Sequence, residues 1–255
     1  MPTKDEFSGM TALVTGASSG IGAEAAFGLA CNGASVLVHY NSSLEGAQEV
    51  CARIRAVGGE ASLLSGDLSC PEGVRQFTGR IEALGRPVDI LVNNAGTLLR
   101  RIRILDFTEQ FWDEVITLNL KSAFFISQAV VPGMIERGRG CIINVSSLAA
   151  LIGGGIGASV YATAKGGLST MTKAFAREFA PHGIRVNAVS PGTIDTNYHR
   201  RFSTKEGLEL VRAATPAGRI GTSTETAEVI LFLCSDAARF IHGQVIEVNG
   251  GYCMV

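Results

Sequence analysis

The chain has 255 residues, 46% of them hydrophobic and 18% charged, which is enough to bury one large core in a single domain spanning residues 1–255. The net charge is −1 and the 22 lysines and arginines are spread along the chain, so we expect neither nucleic acid nor an anionic membrane as a partner. Six cysteines without Cys-x-x-Cys spacing and four scattered histidines argue against a disulfide framework and against a metal site.

Two segments bear on cellular location. Residues 1–8 contain two acidic side chains and no apolar core, which is unlike a cleaved signal, so we expect a cytoplasmic protein. Residues 141–164 carry no formal charge, but their serines and glycines, together with Asn144, predict a buried strand followed by a loop rather than a membrane helix.

Short apolar runs alternate with helical patterns through the first half of the chain. The predicted strands lie at 10–15, 35–40, 61–64 and 89–92, and the predicted helices at 21–31, 44–57 and 73–84. A strand followed by a helix, repeated, is typical of a parallel sheet with helices on both faces.

The second half supplies three more strands, at 141–145, 185–189 and 245–248, with helices near 112–137, 159–181 and 222–235. Seven strands joined by right-handed crossovers predict an α/β fold, with one Rossmann-type, doubly wound, seven-stranded parallel sheet. We expect a dinucleotide-binding half at about 8–150 and a catalytic and lid part at about 140–255. Residues 193–215 have the weakest pattern, and they predict a loop and a short helix over the carboxyl edge of the sheet.

A glycine-rich turn, Thr-Gly-Ala-Ser-Ser-Gly-Ile-Gly at 15–22, follows the first predicted strand. Gly16, Gly20 and Gly22 suit a tight turn, close approach of a pyrophosphate and close packing of the helix on the strand. The position of the turn favours a dinucleotide site over a plain glycine-rich bend.

Two further loops end at the same predicted edge, at 66–68 and 93–96. Asp67 could accept a hydrogen bond from an adenine amino group, and the small residues Ala95 and Gly96 would let the backbone approach a cofactor. The alternative for Asp67 is a helix cap before Pro71.

Tyr161 and Lys165 lie four residues apart in Ser-Val-Tyr-Ala-Thr-Ala-Lys, downstream of the serine pair Ser146-Ser147. On a helix this spacing puts both side chains on one face, where the ammonium favours the ionised phenol. Tyr161 is therefore a candidate proton carrier, although the spacing alone is also common in surface pairs.

These features together resemble the classical short-chain dehydrogenase/reductase family over essentially the whole chain. The matching motifs are the turn at 15–22, Asn-Asn-Ala-Gly at 93–96, Asn119, Ser147, Tyr161-x-x-x-Lys165, Pro191-Gly192 and Val-Asn-Gly-Gly at 248–251. The resemblance implies a nicotinamide cofactor and hydride transfer between a carbonyl and an alcohol.

The resemblance also implies roles for four residues. Tyr161 would be the acid/base, Lys165 would lower the pKa of Tyr161 and hold the nicotinamide ribose, Ser147 would orient the carbonyl, and Asn119 would support a proton relay. Tyr161 follows Ser147 by fourteen residues, about one more than in the family, and we expect the extra residue in the loop at 153–157. The implied cofactor contacts are Gly16, Ser18, Ser19, Gly20, Ile21, Gly22, Tyr40, Asn41, Ser42, Asp67, Leu68, Asn94, Ala95, Gly96, Tyr161, Lys165, Pro191, Gly192, Ile194 and Thr196.

The end of the second strand predicts which nicotinamide cofactor binds. Family members that use NAD usually carry Asp or Glu there, whereas this chain has His-Tyr-Asn-Ser-Ser at 39–43. Without a carboxylate, this strand end does not repel a 2′-phosphate, and Asn41, Ser42 and Ser43 can donate hydrogen bonds to it. We therefore expect NADP(H), with NAD(H) possible because no basic residue stands at that strand end.

The sequence leaves the substrate open. Relatives with this body plan reduce 3-oxoacyl thioesters or oxidise sugars and sugar acids, and the glycine-rich wall at 148–157 suits an acyl chain without excluding a sugar. Arginines at 100, 101 and 103, and His199, Arg200 and Arg201 in the predicted lid, would either attract an anionic substrate or acidic carrier protein, or be solvated surface charges.

By family analogy we expect a homo-oligomer, a tetramer or a dimer, formed through the helices near 112–137 and 159–181 and the last strand. An alternative of another class is a nucleotide-binding scaffold or redox sensor without turnover.

Overall fold

A computed structural model describes residues 2–3, 5–196, 202 and 204–255, and within this part of the chain seven strands form one parallel sheet. The strands are β1 Thr11–Val14, β2 Ser35–Tyr40, β3 Glu60–Ser65, β4 Ile90–Asn93, β5 Gly140–Val145, β6 Ile184–Pro191 and β7 Val245–Val248. Their order is β3-β2-β1-β4-β5-β6-β7, so the chain reverses its direction of progress between β1 and β4. The predicted α/β class, Rossmann-type topology and seven-stranded sheet are confirmed.

The helices cover both faces of the sheet. They are α1 Gly20–Cys31, α2 Leu44–Ala56, α3 Pro71–Glu82, α4 Glu109–Ile116, α5 Ser122–Arg137, α6 Ala149–Ile152, α7 Ser159–Phe179, α8 Lys205–Ala214 and α9 Ser223–Cys234. The prediction of one helix over 112–137 is wrong in one respect, because a π-helical turn, Thr117–Lys121, separates α4 from α5. The apolar pattern runs through the turn, so hydrophobic periodicity alone does not reveal it.

Two hydrophobic layers hold the sheet between the helices. On one face Val14, Val36 and Ile143 pack with α1, α2 and α9. On the other face Leu13, Leu91 and residues from α3, α5 and α7 form the second layer. Successive strand residues point to opposite faces, and both faces are covered, which explains why the central strands are continuously apolar.

One continuous helical stretch, Glu109–Arg137, is long and apolar enough to cross a membrane by length and composition, and half of its apolar window is buried inside the fold. A core helix passes the same test, so this feature is weak evidence for a membrane span. The uncharged segment at 141–164 forms β5, a loop, α6 and the start of α7.

A chain of buried polar side chains crosses the second layer beneath the carboxyl edge. Asn93 Nδ2 donates to Asn144 Oδ1 at 2.9 Å and to Ser127 Oγ at 3.1 Å, and Asn144 Nδ2 donates to Thr172 Oγ1 at 2.9 Å. These bonds join β4 and β5 to α5 and α7. Because α7 also carries Tyr161 and Lys165, the network contributes to the position of that helix on the sheet.

We predict that Asn144→Ala lowers the free energy of unfolding by about 2 kcal/mol, because it leaves buried groups on Asn93 and Thr172 without their partner. Denaturant unfolding measures the change. Gln76→Ala on the exposed face of α3 is the control, and we expect it to change stability by less than about 0.5 kcal/mol. Equal stabilities for the two variants would contradict the structural importance of the network.

Candidate active site

A cavity of about 1490 Å³ lies at the carboxyl edge of the sheet. The carboxyl ends of parallel strands meet at one edge, and the reversal between β1 and β4 opens a crevice there. Of the residues predicted from sequence, those that line it are Gly16, Ser18, Ser19, Gly20, Ile21, Asn41, Ser42, Leu68, Asn94, Ala95, Gly96, Ser147, Tyr161, Lys165, Pro191, Gly192, Ile194 and Thr196. Four predicted residues are not part of the lining: Gly22, Tyr40, Asp67 and Asn119.

The glycine turn forms one end of the cavity. Gly16 has a left-handed φ of +62°, and a Cβ there would lie 2.9 Å from Ala95 Cα. A Cβ on Gly22 would overlap Asn94 Nδ2 and lie 2.5 Å from Gly16 O, so Gly22 serves the packing of the turn rather than its surface. Ser19 occupies the N-cap position of α1 without a side-chain cap bond, and the first turn contains no acidic residue. The start of α1 therefore has the backbone donors and the polarity that suit an anion.

Thr15 and Asn94 fasten the glycine turn to the loop after β4. Thr15 Oγ1 accepts hydrogen bonds from the N–H groups of Asn94 and Ala95, both at 2.9 Å. Asn94 Nδ2 in turn donates to the carbonyls of Thr15 and Gly16 at 2.9 and 3.0 Å. The two loops on either side of the crevice thus form one rigid unit.

His39 is a site residue that the sequence analysis missed. It is buried at the end of β2 and lines the cavity, Nδ1 accepts a hydrogen bond from Gly16 N at 2.9 Å, and Nε2 lies 3.1 Å from Gly66 O. Burial lowers the pKa of the imidazole to about 4, partly opposed by the bond to Gly66. The available signal was a histidine within an otherwise apolar strand, which is unfavourable unless both ring nitrogens have partners.

Beyond His39, the strand end presents uncharged polar side chains. Asn41 and Ser42 are exposed and line the cavity, whereas Tyr40 is partly buried and packs against the first hydrophobic layer. Asp67 Oδ1 accepts hydrogen bonds from Ser69 N, Ser69 Oγ and Asn41 Nδ2, at 2.9, 2.7 and 3.3 Å. Asp67 is exposed and is not part of the cavity lining, whereas its partners Asn41 and Ser69 both line the cavity.

The alternative reading of Asp67 as a helix cap is wrong. The N-cap of α3 is Cys70, whose Sγ accepts a hydrogen bond from Gly73 N at 3.4 Å. An adenine contact for Asp67 stays a prediction.

Ser147, Tyr161 and Lys165 all line the cavity. Lys165 is 2% exposed, and its Nζ donates to Val145 O at 2.8 Å and lies 5.8 Å from the centre of the Tyr161 ring. Burial lowers the pKa of the ammonium to about 8. The group is thus mainly charged at pH 7 and sits next to the phenol.

Ser146, which precedes the predicted serine, helps to hold the helix that bears this pair. Its Oγ donates to Lys165 O at 3.0 Å and lies 2.8 Å from Ser169 Oγ. Both contacts involve groups that are distant in sequence, so the sequence gives no signal for them.

Asn119 lies in the π-helical turn, next to Lys165. Its Nδ2 donates to Thr97 O and Val115 O at 3.0 and 2.9 Å, and its buried Oδ1 has no hydrogen-bond partner among the described residues. A Cβ on Gly96 would lie 2.7 Å from Asn119 Oδ1 and 2.9 Å from Lys165 Nζ. The bare Gly96 therefore leaves room between an amide acceptor and the ammonium.

The predicted arginines occupy different environments. The Arg100 guanidinium stacks over the Phe111 ring at 4.4 Å, while Arg101 lines the cavity. Arg101 donates to Ile156 O at 2.9 Å and to Phe202 O at 3.2 Å. Arg103 lines a smaller cavity beside the glycine-rich loop at 153–157. His199, Arg200 and Arg201 lie outside the described residues.

The short helix predicted within residues 193–215 is α8, which has no buried residue and covers the cavity with Gly207, Leu208, Leu210 and Val211. No cluster of three or more metal-ligating side chains occurs within the described ranges. That a metal plays no role stays a prediction.

Comparisons with known proteins agree on the kind of molecule. A family model described as "Enoyl-(Acyl carrier protein) reductase" matches residues 16–253. The 3-oxoacyl-[acyl-carrier-protein] reductase FabG of Escherichia coli K12 is 39% identical over 249 residues, covering 98% of this chain and 99% of the relative.

Two solved structures extend the comparison. A putative NAD(P)-dependent gluconate 5-dehydrogenase from Beutenbergia cavernae with bound NADP superposes with a TM-score of 0.90 at 35% identity, covering 98% of this chain and 99% of the other. A putative short-chain alcohol dehydrogenase from Sinorhizobium meliloti superposes with a TM-score of 0.89 at 39% identity, covering 98% of both chains.

We predict that burial of neutral His39 makes stability depend on pH. Because its pKa is lowered from 6.5 to about 4, the unfolded chain takes up the proton first as the pH falls. The contribution, at most about 3 kcal/mol, is fully present above pH 6.5 and is lost progressively towards pH 4. Unfolding of the wild type and His39→Asn across this range measures it. The same slope in both proteins would contradict the prediction.

Proposed function

The chain belongs to the short-chain dehydrogenase/reductase family of oxidoreductases, and from that premise we propose that it transfers a hydride between NADP(H) and a carbonyl or secondary alcohol. The reaction we favour is NADPH-dependent reduction of a 3-oxoacyl thioester. The observation that carries the proposal is the buried ammonium of Lys165 beside Tyr161 in the cavity. The same cavity contains the start of α1, where no side chain caps the helix.

In the reducing direction, the Tyr161 hydroxyl gives its proton to the substrate oxygen while that oxygen gains negative charge. Ser147 Oγ donates a hydrogen bond to the same oxygen and orients the carbonyl. The charge of Lys165 stabilises the phenolate that remains on Tyr161. Nicotinamide, when bound, supplies the hydride to the carbonyl carbon.

The phenolate must then regain a proton from solvent. Asn119 Oδ1 and Lys165 Nζ both lie next to the Gly96 backbone, and the amide oxygen is a buried acceptor without a partner among the described residues. This arrangement supports a relay in which a proton passes to Tyr161 by way of Lys165, with Asn119 at its outer side.

Tyr161→Phe should lower kcat by about 10²- to 10⁴-fold, because the variant lacks the acid that protonates the substrate oxygen. The Kd for NADPH, measured by its fluorescence on binding, should stay within about twofold of the wild type. Tyr252→Phe is a matched control, since Tyr252 also lines the cavity, and it should keep near-normal turnover. Near-normal turnover of Tyr161→Phe would refute the mechanism.

The cavity has the features that a dinucleotide requires. The turn at 16–21 and the start of α1 offer donors to a pyrophosphate, and the loop at 94–96 lets the backbone approach the nicotinamide ribose. Beside the turn, after β2, the cavity is lined by the uncharged side chains of Asn41, Ser42 and Ser43, and the absence of a carboxylate among them favours NADP. The NADP in the structure of the Beutenbergia relative supports the same preference, and use of NAD remains part of the proposal.

We expect that Ser42→Asp lowers kcat/KM for NADPH by about tenfold or more, because a carboxylate would repel the 2′-phosphate. The value for NADH should change by less than about threefold. Ser42→Asn, which is similar in size and uncharged, should keep the wild-type ratio of the two cofactors. A wild type that uses both cofactors equally at saturation would sink the NADP preference.

For the substrate, the apolar part of the wall favours an acyl chain. Leu148, Ala149, Ile152 and Ile156 line the cavity, and the relative from Escherichia coli is named as a 3-oxoacyl-[acyl-carrier-protein] reductase. A sugar acid is the second candidate. It is favoured by the gluconate 5-dehydrogenase name of a structural relative and by Arg101, a cation in the lining.

A substrate panel separates the two candidates. We expect higher kcat/KM with acetoacetyl-CoA and NADPH than with 5-keto-gluconate, while gluconate with NADP should show little turnover. Arg101→Gln should lower kcat/KM selectively for the anionic sugar acid if the side chain contacts a carboxylate. Preference for the sugar acid together with that selective loss would assign the enzyme to the second candidate, and absence of any turnover would favour the scaffold alternative.

Assembly and location belong to the same proposal. Phe124 and Phe125 on α5 are 39% and 37% exposed and form an edge-to-face pair, which supports α5 as part of an interface in a homotetramer or dimer. The cluster of Arg100, Arg101 and Arg103 supports an acidic carrier protein as the molecule that carries the thioester. A cytoplasmic location, and the absence of nucleic acid and membrane partners, stay predictions.

A further inference from the structure

We propose that His39 is a positioning residue for cofactor binding, whose neutral ring fixes Gly16 so that the glycine turn is already in its binding conformation before the dinucleotide arrives. This inference rests on the proposed function to the extent that the turn binds a dinucleotide. It adds a residue that neither motif nor charge indicates.

The partners of the ring determine its chemical state. Gly16 N–H can only donate, so Nδ1 must be an unprotonated acceptor at the 2.9 Å contact. Gly66 O can only accept, so Nε2 must carry the proton at the 3.1 Å contact. Only the neutral Nε2–H tautomer satisfies both groups, because a charged imidazole has no acceptor for Gly16.

The location of His39 lets this tautomer hold two neighbouring loops in place. It is the last residue but one of β2, which lies between β1 and β3, and its ring contacts the loops that follow both neighbouring strands. The main-chain oxygen of His39 also accepts from Ala17 N at 2.8 Å. One residue therefore holds two consecutive N–H groups of the turn, while Phe77 packs edge-on against the ring at 4.6 Å.

The contacts of Gly16 restrain the conformation of the glycine turn. Gly16 adopts a left-handed conformation, which a glycine can leave easily when nothing holds it. Its carbonyl is held by Asn94 and its N–H by His39, so both sides of the residue are fastened. The donors that follow, at the start of α1, are then aimed at the cavity without ordering on binding, and such preorganisation increases affinity.

Two variants that each keep one ring contact provide the test. His39→Asn can place its amide oxygen where Nδ1 accepts from Gly16, whereas His39→Gln reaches the position of Nε2 and Gly66. Each loses one buried hydrogen bond, so thermal unfolding should show similar stabilities for both. Isothermal titration with NADPH and NADH then separates a positioning role from a structural one.

We expect His39→Asn to bind NADPH within about twofold of the wild type and His39→Gln to bind about tenfold more weakly, with the same factor for NADH, because the effect lies at the pyrophosphate and not at the 2′-phosphate. In the wild type, ¹⁵N spectra at pH 7 should show an unprotonated Nδ1 and a protonated Nε2.

Equal affinities of the two variants, or losses that follow their stabilities, would overturn the positioning role. A doubly protonated ring in the wild type would overturn it as well. If the wild type itself binds neither NADPH nor NADH, the proposed function fails; if it binds and the two variants do not differ, only the inference about His39 fails.

Discussion

The parallel direction of all seven strands is the constraint on which the site depends. It brings the loops after β1, β2, β4, β5 and β6 to one edge, although they are far apart in sequence. The reversal between β1 and β4 separates the first helices from the later ones and leaves the crevice between them. The glycine turn at 15–22 and the Tyr161–Lys165 pair therefore line one cavity although they are far apart in the sequence.

Within that cavity, two basic side chains, Lys165 and His39, are buried and still keep their hydrogen-bond partners. Lys165 is almost inaccessible, yet its Nζ retains the carbonyl of Val145 as an acceptor, so it can remain mainly charged at pH 7. His39 is buried as deeply but is neutral, because each ring nitrogen faces a backbone group of fixed polarity. At pH 7 the Lys165 side chain is thus mainly charged and the His39 ring is neutral, because burial lowers both pKa values, to about 8 and about 4, and lysine starts from the higher ordinary pKa.

The sequence predicted the features that recur locally and missed those that depend on distant backbone groups. Alternating apolar runs and helical patterns predicted the seven strands, since both faces of the sheet are covered and each central strand is apolar throughout. The π-helical turn at Asn119 was not predictable, because its hydrophobic pattern continues that of α4. The contacts of His39 with two loops, and those of Ser146 with Lys165 and Ser169 on α7, were not predictable either, because only the tertiary fold brings these groups together.

The segment between Ser147 and Tyr161 contains the glycine-rich loop at 153–157, in which we expect the extra residue. Ser147 lies two residues after the end of β5, and Tyr161 lies on α7, which is held to the sheet by Ser146 and by the Asn144–Thr172 bond. Both ends of the intervening segment are therefore fixed. The location of the extra residue in the loop at 153–157 stays a prediction, which is supported by the positive φ of three glycines in that loop. Arg101, which lines the cavity, donates a hydrogen bond to Ile156 O in that loop. Because Gly154, Gly155 and Ile156 of this loop line the cavity, we expect a change in its length to alter the substrate wall, while Ser147 and Tyr161 stay on elements that are fixed by other contacts.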